Sequence, residues 1–94
     1  MGENKLIITS GYFNPIHVGH IEYLELAKSL GGDLIVIVNN DKQAILKHGK
    51  SFMNEKERMK IVGALRCVDE VVLSIDEDPS VCETITQIWR KCGR

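Results

Sequence analysis

"KLIITSGYFNPIHVGH", residues 5–20, joins a short apolar run to a loop with glycine and proline and then to a helix-like segment. The run at residues 5–9 is rich in β-branched side chains and ends at the turn signal Ser-Gly of residues 10–11, which predicts a buried strand. His17 and His20 stand three residues apart where the helix-like pattern begins. The stretch therefore predicts a strand, a loop and a helix N-terminus in succession.

The remainder of the chain continues this alternation of strands and helices. After the strand at 5–9 we predict a helix at 17–30, which stops at Gly31-Gly32, and a buried strand at 34–38. A helix at 54–66 follows, with Asn54 as N-cap and Glu57 completing a capping box, and then a strand at 70–74. The last predicted element is a helix at 81–92, with Asp78 as N-cap, Pro79 at its first position and Gly93 as its stop. The order β-α-β-α-β-α predicts an α/β fold with a parallel sheet and right-handed crossovers. A fourth strand is expected next, so the sheet is predicted to be incomplete.

Some segments carry more detailed expectations. In the last helix we expect Val81, Ile85, Ile88 and Trp89 to be buried, and in the helix at 54–66 we expect Gly63 to permit a close contact. Residues 44–46 can form one helical turn, and residues 47–50 ("KHGK") resemble a mobile basic loop.

Composition excludes several functional classes. The 94 residues include 12 basic and 13 acidic side chains, and the net charge of -1 gives no reason to expect a nucleic acid or an anionic membrane as partner. The three cysteines, Cys67, Cys82 and Cys92, form no CxxC pair, so we expect reduced thiols in a cytoplasmic protein. No apolar run is long enough for a signal peptide or a membrane span.

The loop at residues 10–20 is the strongest candidate for a binding site. In open α/β sheets ligands bind at the carboxyl ends of the strands, where residues 10–20, 39–50 and 74–79 should meet. A helix N-terminus there offers free N–H groups to a phosphate, and His17 and His20 share one helix face. Neither GxGxxG nor GxxxxGK[ST] is present, which excludes a plain dinucleotide site and a P-loop.

Two simpler interpretations of His17 and His20 remain open. They can be structural or solvent-facing histidines of a surface loop. They can also bind a metal, although a third ligand would have to come from Asp41 or His48.

The motifs together resemble a known family. "TSGYFNPIHVGH" resembles the HxGH signature of the nucleotidyltransferase α/β superfamily. "VNND", "LKHGK", "MNEKERM" and "GALRCVDEVV" resemble its cytidylyltransferase-like branch, which includes glycerol-3-phosphate cytidylyltransferase and the heptose-phosphate adenylyltransferase domain. The resemblance implies a Rossmann-like, doubly wound sheet. It also implies that residues 1–94 form a single nucleotidyltransferase-like domain that is the N-terminal part of a longer one.

The resemblance implies a reaction and a set of site residues. A phosphorylated sugar or polyol would attack the α-phosphate of ATP or CTP, accept AMP or CMP and release pyrophosphate, with Mg²⁺ carried mainly by the triphosphate and no metal held by side chains. The implied catalytic residues are His17, His20, Lys47 and Arg58. The implied nucleotide-binding residues are Ser10, Gly11, Tyr12, Phe13, Asn14, His17, Gly19 and His20, with Gly19 leaving clearance for the ligand. Sugar-phosphate acceptors are favoured because the loop after the second strand resembles the heptose and glycerol-phosphate enzymes.

Two features keep alternatives open. Asn14 stands where this branch commonly has aspartate, and the Ser/Thr-rich segment that the family carries late in the domain does not occur in these 94 residues. The alternative is a catalytically silent nucleotide-binding or regulatory module of the same fold, and a metal-binding module is a third hypothesis. A homodimer is expected from the family and from the modest core of so short a chain.

Overall fold

The computed structural model describes residues 5–78 and 80–91, and the predictions for Pro79, Cys92 and Gly93 lie outside these described residues. The elements are β1 (Leu6–Gly11), α1 (Val18–Lys28), β2 (Asp33–Val38), α2 (Asp41–His48), α3 (Glu55–Gly63), β3 (Glu70–Leu73) and α4 (Cys82–Lys91). β1 runs two residues further than the apolar pattern indicates, because Ser10 and Gly11 still pair with β2.

The three strands form a parallel sheet in the order β1-β2-β3. Gly11 pairs with Val38, and Val38 pairs with Leu73, so the carboxyl ends of all three strands lie at one edge. Residues 34–38 of the central strand are buried, as their continuous apolar run predicts. The sheet therefore brings the three loops together as expected.

Helices cover both faces of this sheet. On one face a core forms around Leu24 of α1 and Val62 of α3, and on the other Ile88 of α4 packs on Ile35 and Ile37. The Rossmann-like α/β fold class is thereby confirmed. The expected close contact at Gly63 is also confirmed, because a Cβ there would lie 3.1 Å from Cγ1 of Val71.

The prediction of a mobile basic loop at residues 47–50 is wrong for its first half. Lys47 and His48 form the last turn of α2. Asn40 caps the N-terminus of this helix in a capping box with Gln43, and Gly49 ends it with a left-handed φ of 84°. The polar composition of this segment did not indicate a helix, although the sequence contains both of its capping residues, Asn40 and Gly49.

The expectations for α4 need two corrections. Ile85 and Trp89 are 40% and 53% exposed, so the buried face is narrower than predicted. The carboxylate of Asp76, rather than that of Asp78, accepts the N–H groups of Glu83 and Thr84 at the start of α4. Asp78 instead forms a local turn, in which its carboxylate accepts the N–H and the hydroxyl of Ser80.

Within the described residues no helix is both long and apolar enough to cross a membrane. Cys67 and Cys82 are free cysteines.

Candidate active site

His17 and His20 cap the N-terminus of α1 reciprocally. His17 is the N-cap residue with extended backbone, and its Nδ1 accepts a hydrogen bond from the N–H of Gly19 at 3.1 Å. Nδ1 of His20 accepts the N–H of His17 at 3.0 Å, and the two ring centroids are 4.0 Å apart. The pair therefore satisfies backbone donors in the way that Ser and Glu do in an ordinary capping box.

This capping arrangement fixes how the two imidazoles can contact a ligand. An Nδ1 atom that accepts a hydrogen bond carries no proton, so in the neutral ring the proton is on Nε2. Burial, together with the charge of neighbouring His17, lowers the pKa of His20 below its ordinary value, which favours the neutral form. Each ring consequently offers an Nε2–H donor to a ligand while Nδ1 holds the helix.

The loop between β1 and α1 is held in a strained backbone conformation. Phe13 has a φ of 51°, which is unusual for a residue with a side chain, and its buried ring lies 5.0 Å from that of His20. A Cβ at Gly11 would lie 2.8 Å from the Phe13 ring, so glycine makes room for that ring. A Cβ at Gly19 would lie 2.9 Å from Cε1 of His17. Gly19 therefore gives clearance to the capping imidazole, and its clearance for a ligand stays a prediction.

A pocket of about 420 Å³ opens beside the histidine pair. It is lined by Tyr12, Phe13, Asn14, Pro15, His17, His20, Lys47 and His48. The lining contains one lysine, three histidines and no acidic residue, so it suits an anion. It joins the loop after β1 to the last turn of α2, in agreement with the rule for open α/β sheets.

Side chains at the start of α2 tie this helix to the segment after β3. Asn40 Nδ2 donates to the carbonyls of Ser74 and Asp76 at 3.0 Å each, and Gln43 Nε2 donates to two further carbonyls of the same segment. Because α2 is fixed at this end, its last turn places Lys47 Nζ 5.2 Å from the centroid of the Tyr12 ring.

Arg58 lies in the same region of the fold but behind the pocket. The residue is 1% exposed, and Nε donates to the carbonyl of Met53 at 2.9 Å. Nη1 donates to the carbonyls of Tyr12 and Asn39, and Nη2 donates to Oδ1 of Asp41 at 2.7 Å. Four of the five guanidinium N–H groups thus bond to the protein, and the phosphate contact that the family resemblance implies for Arg58 stays a prediction.

The structure thus gathers part of the predicted site. Of the predicted residues it brings Tyr12, Phe13, Asn14, His17, His20 and Lys47 to the pocket, whereas Ser10, Gly11, Gly19 and Arg58 lie outside its lining. Sequence reasoning left His48 without a role. Recognition of helix α2 from its capping residues would have placed His48 beside Lys47 in the last turn of that helix.

A metal site receives no support from side-chain clustering. No group of three or more histidine, cysteine or acidic residues within residues 5–78 and 80–91 is arranged to hold a metal ion. Within these residues, His17 and His20 therefore have no third ligand nearby of the kind that the metal hypothesis requires.

Comparison with known proteins gives consistent matches. FAD synthase of Ferroglobus placidus is 44% identical over 75 residues, which are 79% of this chain and 48% of the relative. The bifunctional protein HldE of Citrifermentans bemidjiense is 39% identical over 84 residues, which are 86% of this chain and 17% of the relative. The chain thus spans about half the length of that FAD synthase and a smaller part of HldE.

A solved structure gives the same result for the fold. The lipopolysaccharide core biosynthesis protein of Thermoplasma volcanium superposes with a TM-score of 0.80 and 29% identity over 88% of this chain and 66% of that chain. A sequence model of the family described as cytidylyltransferase-like matches residues 8–90. Because that match covers most of the chain and the whole loop with the two histidines, the protein belongs to the cytidylyltransferase-like family.

Proposed function

We propose that the protein is a nucleotidyltransferase that moves AMP or CMP from a nucleoside triphosphate to a phosphorylated sugar or polyol. The observation that carries the proposal is the pair of Nε2–H donors of His17 and His20 beside an anion-suited pocket at the start of α1. In the reaction an oxygen of the acceptor phosphate bonds to the α-phosphorus, the bond from that phosphorus to the oxygen bridging to the β-phosphate breaks, and pyrophosphate leaves.

The side chains of the pocket suit this reaction because it requires positioning and charge stabilisation rather than a protein nucleophile. Negative charge on the oxygens of the α-phosphate and the leaving pyrophosphate would be met by the Nε2–H groups of His17 and His20. Lys47, which reaches the pocket from α2, would contact the outer phosphates.

Mg²⁺ is expected to enter with the triphosphate. The pocket lining has no carboxylate, so the ion would be held by phosphate oxygens and water, which are ligands that Mg²⁺ prefers. Bound in this way, it would neutralise part of the charge of the leaving pyrophosphate.

The relatives favour ATP as donor and widen the set of acceptors to be tested. FAD is FMN joined to AMP through a pyrophosphate link, so an FAD synthase forms the bond that this pocket suits. The phosphate of FMN sits on a ribityl chain, which makes FMN a phosphorylated polyol. FMN therefore falls within the acceptor class that the sequence predicts, beside sugar phosphates and glycerol 3-phosphate.

A pyrophosphate-release assay tests the proposal directly. The protein would be incubated with Mg²⁺, ATP or CTP, and one acceptor at a time from FMN, glycerol 3-phosphate and a heptose phosphate. We expect release with one donor–acceptor pair and about a hundredfold less with His17→Asn, because one well-placed donor is worth about 2.7–4 kcal/mol in such reactions.

Two other results would change the assignment. Absence of release with every pair, together with tight binding of ATP or CTP by calorimetry, would establish the silent nucleotide-binding module instead. Release that is unaffected by His17→Asn would contradict the assignment of the reaction to this pocket.

A further inference from the structure

Strand β1 has one edge that no strand pairs with in the described part of the chain. On its other edge the carbonyl of Gly11 accepts the N–H of Asn39, at the end of β2. The backbone groups of successive residues point alternately to the two sides of a strand, so every second residue counted back from Gly11 faces β2. The N–H and C=O groups of the residues between them point away from β2; these residues are Leu6, Ile8 and Ser10.

The two outer edges of the sheet differ in how well they can accept another strand. β3 is four residues long and begins with Glu70, and short or charged edge strands discourage pairing. β1 is six residues long, and its sequence LIITSG contains no charged residue and no proline. The edge of β1 is therefore the better template for a further strand.

On one face of the sheet, α1 carries apolar side chains beside the edge of β1. Lys28 bonds to Asp69, which precedes β3, at 2.6 Å, so Lys28 lies on the side of α1 that faces β3. At 3.6 residues per turn, Tyr23 and Leu26 lie about 140° and 160° around the helix from Lys28, on the side of β1. They are 49% and 69% exposed, and Leu30 in the following turn is 65% exposed.

On the other face, α4 carries apolar side chains beside the same edge. Gln87 and Lys91 line a cavity of about 200 Å³ together with Val72 of β3, so this side of α4 faces β3. Ile85 and Trp89 each stand two residues from Gln87, which places them about 160° around the helix from it, on the side of β1. They are 40% and 53% exposed. Exposed apolar side chains thus flank the edge of β1 on both faces of the sheet.

We propose that this surface binds a second copy of the chain, with the two β1 strands pairing across a two-fold axis. We call it the β1 face; it consists of the outer edge of β1 and the side chains of Tyr23, Leu26, Leu30, Ile85 and Trp89. A two-fold axis makes identical paired strands antiparallel. With Ile8 on the axis, Leu6 lies opposite Ser10 of the second copy, and each such pair exchanges two hydrogen bonds. The inference does not depend on the proposed function.

The β1 face has the symmetry and the area that a dimer requires. An axis perpendicular to the sheet leaves each helix on its own face, so α1 packs on α1 of the second copy and α4 packs on α4. Five large apolar side chains that are 40–69% exposed, with a strand edge about 20 Å long, would bury on the order of 800 Å² per copy. Standard specific interfaces bury about this area.

Sedimentation equilibrium tests the stoichiometry and the surface together. At high micromolar concentration we expect twice the chain mass of 10.6 kDa. Leu26→Glu and Trp89→Glu each place a charge on the β1 face at an exposed position, and each should raise the dissociation constant at least about tenfold. Leu46→Glu on α2 is the matched control, because Leu46 is 66% exposed and lies outside the β1 face. This variant should dimerise as wild type does.

Amide hydrogen exchange on the unaltered protein tests the strand pairing. The amides of Leu6, Ile8 and Ser10 should exchange rapidly in dilute protein and more slowly at concentrations where the dimer forms. The amides of Ile7 and Thr9 face β2 and serve as the internal control, since they should be protected at both concentrations. NMR resolves these amides one by one, so no substitution is needed.

Three results would overturn the inference. One is a monomer at high micromolar concentration. Another is a dimer that Leu46→Glu weakens as much as Leu26→Glu and Trp89→Glu do, because the contact would then lie elsewhere. The third is equally rapid exchange of the Leu6, Ile8 and Ser10 amides at every concentration, because no strand of a second copy would then pair with this edge. Pyrophosphate release tests the proposed function separately.

Discussion

The start of α1 and the start of α3 both present basic side chains at the carboxyl edge of the sheet, but the two sites differ in what their donors do. Arg58 is 1% exposed and donates four hydrogen bonds to other groups of the protein. His17 and His20 use only their Nδ1 acceptor atoms to hold their helix, and neither Nε2–H group bonds to any residue in the part of the chain that the structure describes. The difference teaches that a basic side chain near the pocket is a candidate ligand for an anion only if its donors are not already bonded to the protein.

Replacement of Arg58 should give the largest effect on stability. Arg58→Met removes four hydrogen bonds, and the Asp41 carboxylate, whose side chain is 36% exposed, keeps the hydroxyl of Ser51 as a donor. Hydrogen bonds of a charged group contribute about 1.5–3 kcal/mol each, so the loss should cost about 3 kcal/mol or more. For a chain of this size the melting temperature should fall by at least about 12 °C. Thermal unfolding followed by circular dichroism measures this. A variant that melts like wild type but loses affinity for ATP would instead mean that Arg58 reaches the phosphates.

The same network predicts an acid sensitivity. Burial raises the pKa of Asp41, but the hydrogen bond from Arg58, with smaller contributions, outweighs it and lowers the net pKa below its ordinary value of 3.8. A lowered pKa in the folded state means that this stabilisation is present above pH 3.8 and is lost as the pH falls through the folded pKa. In the Asp41→Asn variant the free energy of unfolding should fall less steeply as the pH is lowered through that range than it does in wild type. Urea unfolding at several pH values measures this.

His17→Asn should have the opposite profile from Arg58→Met. Asparagine is a good N-cap residue, so the start of α1 should survive with a stability change below about 1 kcal/mol. It has no donor in the place of Nε2–H, so pyrophosphate release should fall about a hundredfold. A variant that retains full turnover would show that the free donor at residue 17 is not what the reaction uses.

The sequence predicted the fold well because its main patterns are local. The continuous apolar run of β2, the glycines after α1 and the N-cap of α3 each specify an element without tertiary information. The histidine pair was likewise recognisable from its spacing and its place after a strand. Helix α2 was predicted only as one turn at residues 44–46, because it is short and polar and its full extent is marked only by its caps.

The role of Arg58 could not be predicted in the same way. Its four partners come from Tyr12, Asn39, Asp41 and Met53, which lie 5–46 residues away along the chain. A sequence shows that an arginine is present in the first turn of a helix, but only the assembled sheet shows where its donors are used. The same holds for Asn14, whose oxygen meets a segment 38 residues away.

Gly19→Ala should have an intermediate effect on binding and little effect on stability. The added Cβ would lie 2.9 Å from Cε1 of His17, so the imidazole must turn and its hydrogen bond with residue 19 weakens. The lost cap and the helix preference of alanine, each about 1 kcal/mol, oppose each other. ATP affinity should fall several-fold in calorimetry. Gly63→Ala on α3 is the matched control and should leave ATP affinity unchanged; an equal loss in both variants would contradict the explanation.

The smallest effect is expected in the titration of His20. Burial and the neighbouring His17 lower its pKa, so below pH 6.5 the unfolded chain takes up the proton more readily than the folded chain. Its contribution to stability is therefore present above pH 6.5 and declines as the pH falls. The negative charge of a bound triphosphate should have the opposite effect on His20 and raise its pKa by about one pH unit or more relative to the free protein. NMR titration of the Cε1–H resonance with and without ATP measures both, and an unchanged pKa on saturation would contradict phosphate contact.

The most direct test of the central claim is the tautomer of His17 and His20, observed by NMR on protein with ¹⁵N-labelled histidine. The structure predicts that at pH 8 both neutral rings carry the proton on Nε2, with Nδ1 unprotonated, and that ATP with Mg²⁺ shifts both Nε2 resonances and leaves the helix cap intact. Rings protonated on Nδ1, or Nε2 resonances that do not respond to saturating ATP, would contradict the claim that this histidine pair caps the helix on one side and binds phosphate on the other.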